Sequence, residues 1–217
     1  MVALVELAIA SRTKVISLFS MSDQPLQVLA VVGSLNPTSV TRAVLLQVTR
    51  SLRADGCSVD VLDFEREPLP LYNPESAYAA PGFEALQARV ERADVYVLGT
   101  PDYHGSISGA MKNFLDHFWR EFAGKLFATI VASHEKGLTV TDQFRTVARQ
   151  CYAWTLPYGV SFAEPDDVLD GRIASDALKK RLAMFVHDVR VYGTVLARQR
   201  HADLAGTEPG FMARHRK

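Results

Sequence analysis

The sequence predicts an α/β fold: five parallel strands in the order 2-1-3-4-5, with helices on both faces of the sheet. Two observations predict it. Five short apolar runs alternate with five stretches whose apolar residues recur at helical spacing. Strands alternating with helices are joined by right-handed crossovers, which leaves few strand orders open. In such a sheet a ligand sits outside the carboxyl ends of the strands, beside strands 1 and 3, where chain direction across the sheet reverses.

Each element has its own justification. Val28 to Val32 is a buried strand that ends at Gly33. From Ser39 to Ala54, Val40, Val44, Leu45 and Val48 mark one helical face. Ser58 to Leu62 is the second strand, and a loop bearing Pro68, Pro70, Pro74 and Pro81 follows it. Phe83 to Arg92 is a helix with Phe83, Leu86 and Val90 on one face. Val95 to Leu98 is the third strand, ended by Gly99-Thr100-Pro101. Ser108 to Phe118 is helical, Leu126 to Ala132 is the fourth strand, and Val140 to Cys151 is helical. Trp154 to Phe162 contains a fifth strand broken by Pro157. A long helix capped by Ser175 runs to Arg198.

The 217 residues, 48% apolar and 22% charged, suit one domain over residues 25–199. Residues 1–24 read as an extension, with Met21 as an alternative start, and 200–217 as a flexible tail without apolar periodicity. Val2 to Ala10 is apolar but short, is interrupted by Glu6, and lacks the basic start and cleavage site of a signal peptide. No apolar run reaches the length of a membrane span. The 24 basic and 24 acidic residues balance, which argues against nucleic-acid binding and against a carrier that docks by charge. Cys57 and Cys151 make no disulfide framework, and no cysteine or histidine spacing matches a metal site. A reducing, cytoplasmic setting is expected.

Two loops leave strands at the ligand edge. Gly33-Ser34-Leu35-Asn36-Pro37-Thr38-Ser39-Val40-Thr41 opens the first helix with free amides and hydroxyls, the donors of a phosphate cradle. It is neither a Walker loop nor a GxGxxG turn, and a hydroxyl-capped helix start is its plainer reading. In the second loop, Thr100 to Asn113, Tyr103 offers a flat apolar face and Gly105 and Gly109 permit close backbone approach. Its amides suit the polar edge of a planar heterocycle. A strand-to-helix turn with Tyr103 on the surface is the alternative.

The run from Gly99 to Asp116, GTPDYHGSISGAMKNFLD, closely resembles the second flavin loop of the NADPH-dependent FMN reductase family, roughly TPEYNGSxPGxLKNxxD. The first loop is similar to that family's GSxRxxSxN, and Phe122-Ala123-Gly124-Lys125 to its Gly-Lys step. The resemblance implies a flavodoxin-like fold, FMN as cofactor, and NADPH or NADH as reductant. It also implies a small-molecule acceptor such as a quinone, azo dye or free flavin, and a homodimer or homotetramer. Carried over by residue, Ser34, Ser39, Val40 and Thr41 would hold the FMN phosphate. Pro101, Asp102, Tyr103, His104, Gly105 and Ser106 would line the isoalloxazine, mostly through backbone groups. Lys112, Asn113 and Asp116 would fix the loop or a subunit contact. No catalytic side chain is implied, because the flavin carries the chemistry.

Three departures stand out. Asn36 replaces the usual Arg, His104 a common Asn, and Ser133-His134-Glu135-Lys136-Gly137 lacks the Gly-rich string usual in the third loop. The nearest cations are Lys136 and Arg42, the latter one turn into the first helix and expected to face solvent. An electron carrier like flavodoxin, or a flavin-binding protein without turnover, is the alternative function. The zero net charge counts against the carrier.

Overall fold

The computed structural model describes residues 24–216; the expectation for residues 1–23 lies outside them. Strands β1 (Gln27–Val32), β2 (Ser58–Asp63), β3 (Val95–Tyr103) and β5 (Leu126–Ala132) form the parallel centre of the sheet. The order is β2-β1-β3-β5, completed by β6 (Trp154–Thr155) and β7 (Val160–Phe162), both parallel to β5. The fifth strand is thus two short pieces separated by Leu156 to Gly159, where Pro157 has no N–H to give a ladder. β4 (Ser106–Ile107) folds back on β3, and β8 (Val168–Leu169) with β9 (Arg172–Ile173) makes a separate hairpin. The predicted flavodoxin-like order holds.

Period-two alternation sorts the strands onto two cores. Val28, Ala30 and Val32 of β1 face α1 (Val40–Ala54) and α5 (Asp176–Ala205), packing with Val44, Leu45, Val48, Leu182 and Phe185. Leu29 and Val31 face the other way. That core contains Phe83 and Val90 of α2 (Phe83–Arg92), Met111 and Phe114 of α3 (Gly109–His117), and Val140 and Phe144 of α4 (Leu138–Gln150). Ser39, Ser108 and Ser175 cap α1, α3 and α5, each accepting a backbone N–H three residues on.

Two expectations need correction. Pro101 does not end the third strand, which continues to Tyr103. β1 has already stopped, at Val32 opposite Gly99, so Pro101 stands at a free edge that asks for no N–H on that side. The tail also departs from a flexible segment. Residues to Ala205 complete α5, and a 3-10 turn, Phe211–His215, docks at the amino edge of the sheet. Met212 is 2% exposed there, packed so close that a Cβ on Gly124 would lie 2.8 Å from its Sδ.

Lys125, from the Gly-Lys step, is 1% exposed and donates to Val90 O (2.9 Å) and Glu91 O (2.7 Å) at the carboxyl end of α2. Burial, aided by repulsion from Arg200, pulls its ammonium down to about 7.

Candidate functional site

Carboxyl ends of β1 and β3 carry the two loops side by side. Gly33 N donates to Gly99 O at 2.7 Å, and the Ser108 hydroxyl donates to Gly33 O. A Cβ at Gly33 would lie 2.8 Å from Met111 Cβ and 2.9 Å from Gly99 O, so only glycine lets the loops meet. The four predicted phosphate residues therefore share one end of the molecule with the predicted ring-lining segment.

The first loop is full of unspent donors. Among the described residues, nothing accepts the backbone N–H of Ser34, Leu35, Val40 or Thr41. The hydroxyls of Ser34 and Ser39 accept from Asn36 N and Arg42 N but donate to no described residue. The Thr41 hydroxyl has no described partner at all, although the residue is 1% exposed. Amides at a helix start plus three free hydroxyl protons suit an oxyanion, so the cradle fits a phosphate group.

Arg42 does not face solvent. It is 7% exposed and its Nε and Nη2 donate to Asp63 Oδ2 (2.6 Å) and Oδ1 (2.9 Å) at the end of β2. Glu65 lies 3.6 Å from the same guanidinium. Its Nη1 donates to Asn36 O (2.7 Å) and Pro37 O (3.0 Å), fastening the turn that precedes α1. The hydrogen bond to Asp63 outweighs burial and holds the guanidinium pKa above its usual value. Its charge is thus spent inside the loop. Asn36 is exposed, with Oδ1 accepting from Thr38 N and Thr38 Oγ1, both at 3.0 Å.

The second loop is a hairpin. Tyr103 pairs with Ser106 across His104-Gly105, whose φ values are +57° and +74°. Positive φ at both central residues is a tight hairpin turn of the Asn-Gly kind, and His is among the side chains that tolerate it. Tyr103 is 54% exposed, and His104 N–H has no described acceptor.

Three side chains fix this hairpin: Asp102 within it, Ser133 of the third loop, and Gln143, which the sequence analysis does not single out. Asp102 Oδ1 accepts from Gly105 N at 2.8 Å, and its Oδ2 accepts from Ser133 Oγ of the third loop at 2.8 Å. Gln143 of α4 accepts from Ser106 Oγ (3.1 Å) and Ile107 N (3.0 Å) and donates to Gly105 O (3.3 Å). A polar residue among the apolar positions of α4 was the available signal. His134, Glu135 and Lys136 are exposed on the third loop. Asn113 binds the proline-rich loop through Tyr72 N, Leu69 O and Pro70 O, while Lys112 and Asp116 pair with each other. His187 is exposed, and Cys57 and Cys151 are buried.

Known proteins are similar to this chain in sequence and in fold. The family model for NADPH-dependent FMN reductase matches residues 26–166. The chain is 26% identical over 173 residues to an FMN-dependent NADPH-azoreductase of Staphylococcus haemolyticus, covering 74% of this chain and 92% of that one. It is 32% identical over 146 residues to an NADPH azoreductase of Bacillus sp., covering 65% and 81%. In fold it is similar to FerB, a flavoenzyme NAD(P)H:(acceptor) oxidoreductase from Paracoccus denitrificans, with a TM-score of 0.65 at 23% identity over 78% of this chain and 98% of that one. With its sheet order, its hydroxyl-lined first loop and its hairpin second loop, the chain belongs to the NADPH-dependent FMN reductase family.

Proposed function

We propose that the surface where these two loops meet is where this FMN-dependent NAD(P)H oxidoreductase holds its cofactor. The unspent donors of the first loop carry the reading. Ser34, Ser39, Val40 and Thr41 would bind the phosphate through three hydroxyls and two helix-start amides. Pro101, Asp102, Tyr103, His104, Gly105 and Ser106 would lie along the ring, with the free amide of His104 aimed at its polar edge. Bound there, FMN would supply hydride chemistry, taking reducing equivalents from NADPH or NADH for a small-molecule acceptor.

The chain's own part is positioning and electrostatics. Backbone donors preset by the hairpin would stabilise negative charge on the ring edge without reorganising. Gln143 and Ser133 keep those donors in place. No side-chain acid or base is required. The acceptor class we propose is azo compounds and quinones, in keeping with the azoreductase relatives. A cytoplasmic homo-oligomer is the expected setting; no helix among the described residues is long and apolar enough to cross a membrane.

The test compares FMN with riboflavin, which lacks the phosphate. FMN should bind far more tightly, and Ser39→Ala should cost FMN, not riboflavin, about 1.5–3 kcal/mol, one charge-assisted hydrogen bond. Anaerobic NADPH should bleach the FMN-loaded protein. Equal affinity for the two flavins would remove the first loop from the site.

A further inference from the structure

We propose that the cavity beneath the proline-rich loop is a second ligand site, taking a single aromatic ring that carries a hydrogen-bond donor, of the phenol class. The cavity has a volume of about 200 Å³ and lies between that loop, the end of β2 and α2. Leu62, Phe64, Leu69, Phe83 and Leu86 make its walls apolar. None of the residues proposed to hold FMN lines it. An apolar cavity of ~150 Å³ accepts benzene, so this one has room for a substituted ring.

His117, at the end of α3, supplies the specificity. It is 4% exposed and lines the cavity. Its Nδ1 lies 2.8 Å from Asn113 O. A carbonyl only accepts, so Nδ1 bears the proton, and Nε2 of the neutral ring is an acceptor. Nε2 has no partner among the described residues. The ring is held in place by Phe83, at 29° and 6.2 Å between centroids, and by the edge contact with Tyr72 at 5.1 Å.

Glu67 and Arg89, which also line the cavity, are bonded to each other at 2.6 Å, with side chains 50% and 20% exposed. A ring with one hydroxyl matches the apolar walls and the acceptor that the buried His117 offers. Hydroquinones and simple phenols share that chemistry.

The probe is 4-fluorophenol, titrated by fluorine NMR into the full-length chain with and without saturating FMN. Saturable binding of equal affinity in both conditions is expected, with fluorobenzene about tenfold weaker for want of the donor. His117→Phe should abolish the preference for the phenol. Ala77→Leu, which fills the cavity and leaves His117 in place, should abolish binding altogether. Equal binding of the two probes by the unmodified chain would overturn the proposal. So would binding that survives both variants, or the absence of saturable binding.

Discussion

Removing the carboxylate of Asp63 tests whether the first loop depends on Arg42. Both side chains of the pair are 9% exposed, and the contact is bidentate at 2.6 and 2.9 Å. Asp63→Ala leaves a buried guanidinium with only Glu65, at 3.6 Å, as counter-charge. Breaking a buried pair in this way costs about 3–5 kcal/mol. At about 2–4 °C per kcal/mol for a domain of this size, the melting temperature should fall by roughly 6–20 °C. A double variant separates stability from function. Arg42→Met with Asp63→Leu replaces the pair by apolar side chains, and such exchanges are often neutral or stabilising. Most of the lost stability should return. Affinity for FMN should instead fall in the double variant, because it alone lacks the bonds from Arg42 Nη1 to Asn36 O and Pro37 O. Thermal melts and flavin titrations of the three proteins decide the matter. A double variant with wild-type FMN affinity would refute the view that Arg42 shapes the cradle. A loss below about 1 kcal/mol in Asp63→Ala would refute the buried-pair energetics.

Gln143→Ala removes three bonds to the hairpin and should weaken FMN by about 1–2 kcal/mol, read by fluorescence titration, with little change in affinity for inorganic phosphate. Asn36→Arg places a guanidinium on an exposed loop position and should raise the kcat/KM preference for NADPH over NADH by up to ~1–2 kcal/mol; an unmoved ratio would mean that position 36 does not meet the dinucleotide. Lys125, pulled down to about 7 against 10.5 when free, binds fewer protons folded than unfolded between those values. Wild-type stability should therefore gain a contribution that grows as pH rises from 7 toward 10, and urea midpoints of Lys125→Met should lack that gain.

The sheet was legible in the sequence because its central strands β1, β3 and β5 are short, nearly continuous apolar runs, as strands buried on both faces must be. Loop positions followed from the ends of those runs, and the segment proposed to line the ring from its resemblance to the family's second flavin loop. What could not be read were partners distant in sequence. Arg42 and Asp63 stand on separate elements, and nothing local marks a charged residue one turn into a helix as buried. Gln143 shows locally only as a polar residue among the apolar positions of α4, and its partner Ile107 lies 36 positions away. The tail shows no periodicity in the sequence because one buried residue, Met212, anchors it, and one residue has no period.

The divided fifth strand has a consequence for how this protein lives in a crowded solution. An outer strand is a row of unpaired amides and carbonyls, ready to template another chain into a growing stack. Here that border consists of two residues and then three, with Pro157 and Gly159 between them. Neither piece is long enough to nucleate cross-β growth, whose segments run to about six or seven residues without proline. Mending the gap would lengthen the sheet and, with it, expose a continuous adhesive margin.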